Sequence, residues 1–140
     1  MRRDDIKILF LKSSESLTKG LKKTIDSSVF KIGLSIFDID TDEKALKISD
    51  DRPDFIFIDM TKRSARGLDL VRIIKEGEKS GSIPVIVFGA KSSSGEVCSA
   101  YDRGANCYIR AESSGKSVFK AMCAVEKFWF SVARLPSKGI

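Results

Sequence analysis

The chain alternates short apolar runs with segments in which apolar residues recur every three or four positions. Runs of aliphatic and aromatic residues favour strands, and a period of three to four residues favours amphipathic helices. The pattern predicts five strands, at residues 6–11, 31–37, 55–60, 85–88 and 107–109. It predicts a helix after each strand, at residues 16–27, 42–48, 68–79, 96–103 and 114–134.

Strands that alternate with helices indicate right-handed crossovers and parallel strand pairing. The fold class predicted is therefore α/β, a doubly wound five-stranded parallel sheet with helices on both faces, in one domain over residues 1–140. In such sheets ligands bind at the carboxyl ends of the strands. The residues at those ends are Lys12-Ser13-Ser14, Asp59, Gly89-Ala90 and Arg110-Ala111.

Composition excludes several classes of function. No apolar run approaches the length of a membrane span, and the acidic residues near the start argue against a signal peptide, so we expect a cytoplasmic location. The chain has no histidine, which removes His-containing zinc sites and Ser-His-Asp arrangements. Three cysteines without CxxC spacing are typical of free thiols.

The net charge of +6 could suggest a polyanionic partner. The 25 lysines and arginines are, however, scattered among 19 acidic residues rather than gathered in a stripe with aromatic residues between them. This distribution is typical of a solvated surface. Neither a nucleic-acid partner nor a membrane partner is expected.

Several positions resemble the receiver domain, the phosphoacceptor module of two-component signalling. The run Phe55-Ile56-Phe57-Ile58-Asp59 is similar to the family's third strand, which ends in the aspartate that is phosphorylated. Gly67 follows Asp59 at the family's spacing. Gly104-Ala105-Asn106-Cys107-Tyr108 is similar to the approach to the family's lysine, with Tyr108 at the aromatic switch position. The resemblance runs from about residue 6 to residue 134 and implies a flavodoxin-like fold. Phe128-Trp129 and Leu135-Pro136 also resemble the tail of stand-alone receivers associated with bacterial photoreceptors.

The resemblance implies a chemistry in which Asp59 attacks a phosphoryl group. The family holds Mg²⁺ with this aspartate, an acidic pair after strand one and a backbone carbonyl, here that of Thr61. A hydroxyl residue and a lysine contact the phosphoryl oxygens. The positions that differ here are Lys12 and Ser13 for the acidic pair, Gly89 for the hydroxyl residue and Ala111 for the lysine. Asp59 is thus a candidate phosphoacceptor in a degenerate site.

Lys12 sets the expectation for a metal. A lysine beside Asp59 should favour the ionised carboxylate and repel Mg²⁺, so we predict a Lys12–Asp59 ion pair and a site that disfavours Mg²⁺. If the ion binds at all, Asp59 and the carbonyl of Thr61 are its expected ligands, and no other cofactor is expected. Asp59 is then either a structural carboxylate or a working phosphoacceptor. A further hypothesis is that another cation replaces the missing lysine. The candidates are Arg110, Lys62, Arg63 and Arg66, and solvated surface charge explains the last three equally well.

Two functions from different classes follow. The first is a receiver-like signalling module that binds a protein partner, a sensor kinase or a downstream protein, without enzymatic activity beyond self-phosphorylation of Asp59. The second is a flavodoxin-like domain that binds a small anion or cofactor through the Ser/Thr-rich turn 13–18, since amides at a helix N-terminus favour anions. Glu15 weighs against the second, and serines there also suit helix capping.

The apolar pattern of the last helix predicts a surface that binds a second copy of the chain or another protein. Its inner stripe comprises Val118, Met122, Val125, Trp129 and Val132. At the angular step of an α-helix, Phe119, Cys123 and Phe130 form a second apolar strip. Phe119 and Phe130 are therefore interface candidates, the alternative being that both pack inside the protein.

Overall fold

The computed structural model describes residues 5–46, 48, 52–90, 94–111 and 115–131. Its strands are Asp5–Lys12 (β1), Lys31–Asp38 (β2), Phe55–Asp59 (β3), Val85–Gly89 (β4) and Cys107–Arg110 (β5). Its α-helices are Glu15–Asp26 (α1), Ser64–Glu76 (α2), Ser94–Asp102 (α3) and Gly115–Val125 (α4). A 3₁₀ turn spans Glu43–Leu46, where the sequence predicted a short helix, and a π-helical turn spans Glu126–Phe130.

The five strands form one parallel sheet in the order β2-β1-β3-β4-β5, which confirms the predicted fold class. The strand order reverses direction between β1 and β3, which are neighbours in the sheet. Leu11 pairs with Ile58, so the ends of these two strands lie side by side. Residues 12–14 and Asp59 therefore meet at the switch point, where open parallel sheets bind their ligands.

Alternating side chains of the buried strands supply one core on each face of the sheet. On the first face β3 contributes Ile56 and Ile58, which pack with residues of α2 and with Ala100 of α3. On the second face Phe55 and Phe57 pack with residues of α1 and α4. Every residue of β3 and β4 is buried, which is typical of unbroken apolar runs in a parallel sheet covered on both faces.

Helix α2 begins at Ser64, four residues before the apolar period that predicted it. Its first turn lies close against the end of β3, because a Cβ placed on Gly67 would lie 2.5 Å from the Cβ of Met60. Only glycine allows this approach without displacement of the helix. The glycine that follows Asp59 is thus explained by packing.

Helix α3 ends where the sequence predicted, at a glycine with left-handed backbone. Gly104 has φ +107°. The Gly104 amide donates to the carbonyl of Tyr101 and the Ala105 amide donates to that of Ala100, both at 3.0 Å. These two bonds satisfy the last carbonyls of the helix and turn the chain towards β5.

The last helix departs from the α-helical geometry that the strip of Phe119 and Phe130 assumed. From Glu126 to Phe130 the helix is π-helical. A π turn contains more residues than an α turn, so each residue rotates the chain by a smaller angle. Phe130 therefore lies on the inner face of the helix and not on the outer strip. Phe130 is fully buried, with its ring centroid 5.2 Å from that of Phe55 and 5.5 Å from that of Phe30.

The interface prediction is therefore wrong for Phe130. Phe119 is 44% exposed, and Cys123 is partly buried. Of the predicted inner stripe, Met122 and Val125 are buried. Val132 and the predicted end of the helix at residue 134 lie outside the described residues, as does the side chain of Val118. Across the part of the chain that the structure describes, no helix has both the length and the apolar character needed to cross a membrane.

Candidate functional site

Asp59 ends β3 at the switch point, and its side chain has no exposed surface. Its Oδ2 atom accepts hydrogen bonds from the amide of Ser13 at 2.9 Å, the amide of Ser14 at 2.8 Å and the hydroxyl of Ser14 at 2.9 Å. Its Oδ1 atom accepts from the amide of Thr61 at 3.1 Å and from the Thr61 hydroxyl at 2.6 Å. Five donors of the chain itself thus surround the buried carboxylate. They supply the hydrogen bonds that a carboxylate removed from water requires.

Local structure explains where these donors come from. β1 ends at Lys12 and α1 begins at Glu15, so the chain turns sharply at Ser13 and Ser14 and points both amides at β3. Ser14 holds the N-cap position of α1, but its hydroxyl donates to Asp59 and makes no cap hydrogen bond. Thr61 closes a tight turn back onto Asp59, two residues earlier, as aspartates often arrange with the following backbone. The Ser14 hydroxyl thus forms a hydrogen bond with Asp59 and not with the first turn of α1.

The predicted Lys12–Asp59 ion pair is wrong. The Lys12 ammonium lies 2.9 Å from Oε1 of Glu15, three residues later, and the side chains of Lys12 and Glu15 are 32% and 72% exposed. The hydrogen bond with Glu15 raises the pKa of Lys12, and the same contact lowers the pKa of Glu15. Pairing with the exposed carboxylate of Glu15 leaves the Lys12 ammonium in contact with water. Pairing with the fully buried Asp59 would cost more free energy, because the ammonium would lose its hydration. Asp59 is held by neutral donors instead.

Gly89, at the end of β4, lies directly under the phenol of Tyr108. A Cβ on residue 89 would be 2.0 Å from the Tyr108 hydroxyl oxygen and 2.4 Å from the ring carbon that carries it. Tyr108 is partly buried and packs against the core on the α2 side of the sheet. Where the family resemblance places a hydroxyl side chain, this protein therefore has a tyrosine ring reaching across from β5.

The Tyr108 hydroxyl donates to Oε2 of Glu96 in the first turn of α3. The hydroxyl of Ser64, at the start of α2, donates to Oε1 of the same carboxylate at 2.6 Å. Burial, with the hydrogen bond to Glu96 and its negative charge, raises the pKa of Tyr108. We call this set of contacts the Ser64–Glu96–Tyr108 bridge.

Sequence reasoning missed Glu96 and Ser64 as parts of the site. An acidic residue in the first turn of a helix is common, because it interacts favourably with the helix dipole, so Glu96 carried no distinguishing signal. Tyr108 was named, but its partner could not be. The one sequence feature related to this contact is the glycine at residue 89, whose lack of a side chain leaves space for the phenol.

Ala111 follows β5 and is buried, and its amide donates to the carbonyl of Gly89 at 2.9 Å. It lines a small pocket of about 160 Å³ at the carboxyl edge of the sheet. The other lining residues are Ser14, Ser16, Leu17, Thr61, Lys62 and Ala90. The pocket borders the residues that hold Asp59 without exposing the carboxylate itself.

Two of the basic residues considered as replacements for the missing lysine are engaged elsewhere. Arg63 forms an ion pair with Asp40. Arg66 donates to the carbonyls of Ile39 and Thr41, at 3.0 and 2.9 Å, and its guanidinium lies 3.3 Å from Glu43. Both side chains thus fasten the start of α2 to the segment after β2.

Lys62 and Arg110 are exposed, and Lys62 lines the small pocket. The Lys62 amide donates to the hydroxyl of Ser13 at 3.2 Å. Among the described residues there is no group of three or more histidine, cysteine, aspartate or glutamate side chains that could hold a metal ion.

Comparison with known proteins gives results at the level of structure alone. No protein-family model matches the sequence, and no curated protein is detectably similar to it. The Mn²⁺-bound form of response regulator Rcp1 matches with a TM-score of 0.79 at 23% identity, over 94% of this chain and 99% of that one. The phosphorylated cyanobacterial phytochrome response regulator RcpA matches with a TM-score of 0.81 at 23% identity, over 95% and 99% of the two chains.

A third match is response regulator RPA3017, described as acting in red light signaling of R. palustris. Its TM-score is 0.75 at 18% identity, over 95% of this chain and 99% of that one. The protein thus has the fold of response-regulator receiver domains over nearly its whole described length. The flavodoxin-like fold implied by the sequence resemblance is confirmed.

Proposed function

We propose that this protein is a receiver-fold signalling module that acts by binding a protein partner and does not pass a phosphoryl group through Asp59. In this proposal Asp59 is a structural carboxylate that joins the turn after β1 to the turn after β3. The partner would be a sensor kinase or a downstream signalling protein, as in two-component pathways generally. The names of RcpA and RPA3017 make a light-signalling pathway a natural first place to search.

The observation that carries this proposal is the complete hydrogen bonding of the buried Asp59 carboxylate. A nucleophilic carboxylate must present one oxygen to phosphorus, and an incoming phosphodonor must reach it. Here both oxygens are taken, and the side chain has no exposed surface. Attack would first require the loss of at least two hydrogen bonds to the Ser13–Ser14 turn or to Thr61.

The surroundings of Asp59 also lack the metal ligands and the lysine with which receiver chemistry compensates the charge of a phosphoryl group. Receiver chemistry needs a divalent cation and a positively charged side chain to neutralise it. The residues present do not fit Mg²⁺, because Lys12 and Ser13 supply a cation and a hydroxyl where the metal would need carboxylates. Ala111 supplies no charge, and the phenol of Tyr108 occupies the space above Gly89.

The alternative of a small-anion binder at turn 13–18 is less well supported. Its appeal was a set of backbone amides at the start of a helix. The amides of Ser13 and Ser14 already bind an anion, which is the carboxylate of Asp59 itself. These two amides are therefore not available to bind an external anion while they hold Asp59.

Intact mass measurement after incubation with Mg²⁺ and acetyl phosphate tests the proposal. We expect no addition of a phosphoryl group to the wild-type protein, and no Mg²⁺ binding in the micromolar range by calorimetry. The control is Asp59→Asn under the same conditions. Rapid addition of one phosphoryl group to the wild type, absent from Asp59→Asn, would show that Asp59 is a working phosphoacceptor and would overturn the proposal.

A further inference from the structure

Strand β2 forms one edge of the sheet and has β1 as its one neighbour among the described strands. It is eight residues long, and each of these residues pairs with a residue of β1 without a bulge. The strand at the other edge, β5, has four residues. Proteins usually interrupt a long edge strand with a proline, a bulge or an inward-pointing charge, because such an edge readily pairs with another strand. β2 has no proline and no bulge, and its charged residues stand at its two ends.

The outer edge of β2 carries backbone groups that point away from the sheet. The Ile39 amide donates to the carbonyl of Lys12 at 2.8 Å, and alternate residues of a strand direct their backbone groups to the same side. The odd-numbered residues of β2 therefore bond to β1, and Ile32, Leu34 and Ile36 direct their N–H and C=O groups outward. Within the described part of the chain, these outward groups have no hydrogen-bond partner.

The side chains of the same three residues lie together on one face of the sheet. Ile32, Leu34 and Ile36 pack against the core formed with α1 and α4, but each of them is only partly buried. Gly33 and Ser35, which alternate with them, are small and exposed on the opposite face. A strand placed beside β2 would therefore cover aliphatic surface on one face and meet little bulk at Gly33 and Ser35 on the other.

We propose that β2 is the surface through which two copies of this chain form a homodimer, with the two β2 strands antiparallel in one continuous sheet. The outward groups determine the register, because residues that exchange two hydrogen bonds must both point outward. A two-fold axis at Leu34 places it opposite the second copy's Leu34, and Ile32 opposite the second copy's Ile36. This register engages all three outward residues of each copy, as a symmetric interface between identical surfaces requires.

Charge favours the antiparallel orientation and a second copy as the occupant. β2 begins at Lys31 and ends at Asp38, and both residues are exposed. An antiparallel pair brings the positive start of each strand next to the negative end of the other, whereas a parallel pair in register would bring like charges together. The carbonyl of Asp38 accepts from the Thr41 amide at 2.9 Å, so the available edge ends before Asp38. This inference does not depend on whether Asp59 accepts a phosphoryl group.

Amide hydrogen exchange at low and high protein concentration tests the pairing, with sedimentation velocity to measure the fraction of dimer. The amides of Ile32, Leu34 and Ile36 should exchange about tenfold more slowly where roughly nine-tenths of the chains are paired than where the chain is monomeric. The amides of Gly33 and Ser35 should exchange at the same rate at both concentrations, because they bond to β1 in either state. A different interface would not produce this alternation.

A cysteine cross-link tests the register. Leu34→Cys places two thiols across the two-fold axis, where the Cα atoms of a hydrogen-bonded antiparallel pair are about 5.5 Å apart and a disulfide can form. Ser35→Cys is the matched control, because its two copies would be more than about 7 Å apart and should not cross-link. The three native cysteines are free, so the wild type under the same oxidation gives the background.

Leu34→Pro tests the outward amide directly. Proline removes this donor without breaking a bond to β1, so the variant should fold and remain monomeric where the wild type is a dimer. Circular dichroism and thermal denaturation check its fold, and the exchange and cross-linking measurements do not depend on it. Three results would overturn the proposal: a wild type that stays monomeric at the millimolar concentrations of NMR, a dimer whose Ile32, Leu34 and Ile36 amides gain no protection, or cross-linking no greater in Leu34→Cys than in Ser35→Cys.

Discussion

The phenol oxygen of Tyr108 lies 2.0 Å from the position that a Cβ on residue Gly89 would occupy. The neighbouring strands β4 and β5 therefore pack with the phenol of one directly above the glycine of the other, and the absence of a side chain at residue 89 makes this possible. The consequence extends to α3, because the same phenol donates to Glu96. A glycine at the end of a strand is thus explained by the ring above it.

Substitution of this glycine should be costly. We expect Gly89→Ala to lower the free energy of unfolding by about 1–3 kcal/mol, since the new methyl group must displace a packed aromatic ring. Urea denaturation measures the change. The control is Gly95→Ala in α3, where an added Cβ would meet nothing within 4 Å and should be neutral or slightly stabilising. Similar losses in both variants would indicate that ring displacement is not the cause.

The structural role of Asp59 predicts a stability effect from a substitution that preserves shape. Asp59→Asn replaces one acceptor oxygen by an amide nitrogen that must face donors, so at least one buried hydrogen bond is lost. We expect the free energy of unfolding to fall by about 1–3 kcal/mol in urea denaturation. Asp69→Asn, at an exposed position on α2, should change it by less than about 0.5 kcal/mol. Equal, small effects would be inconsistent with a structural carboxylate.

The Lys12–Glu15 contact predicts a local change in titration. The hydrogen bond and charge of Lys12 lower the pKa of Glu15. Lys12→Met should raise the Glu15 pKa towards its ordinary value, measured from the carboxyl carbon shift during an NMR pH titration. Because the folded-state pKa of Glu15 is depressed, the contact stabilises the fold above the unfolded pKa. That contribution is lost as the pH falls through the folded pKa.

The contact is exposed, so the effect on overall stability should be small and should weaken in salt. The same titration separates the two arrangements considered for Lys12. If Lys12 were paired with Asp59 in solution, removal of its ammonium would leave the Glu15 titration where it is in the wild type.

The two phenylalanines of the last helix should behave in opposite ways. Phe130→Ala should lower the free energy of unfolding by about 3–5 kcal/mol, because it leaves a cavity beside Phe55 and Phe30. Phe119→Ser should lower it by clearly less, because 44% of Phe119 is exposed. Thermal or urea denaturation of the two variants measures both effects.

Phe119 also keeps its place as an interface candidate. If the chain self-associates through this face, Phe119→Ser should weaken the association in sedimentation velocity while leaving the fold intact. Lys120→Ser, at the neighbouring exposed position, is the control and should have less effect. An unchanged oligomeric state in Phe119→Ser would remove this residue from any dimer surface.

The sequence alone determined the order of elements, the parallel sheet and the position of Asp59. Apolar runs bury β3 and β4 whatever their neighbours are, and a glycine after α3 ends that helix through its own backbone freedom. These features depend on local pattern and on residue type. The resemblance also placed Gly89 and Ala111 at strand ends, and the structure has Gly89 as the last residue of β4 and Ala111 directly after β5.

Only the tertiary structure decided what those residues touch. The donors to Asp59 include the backbone amides of Ser13 and Ser14, and every residue except proline carries such an amide, so no side chain marks them in advance. The sequence placed Lys12 beside Asp59, but the Lys12 ammonium contacts Glu15, and Asp59 is fully buried. Phe130 lies inside because a π-helical turn changed the angular step, which the spacing of apolar residues in an α-helix does not foretell.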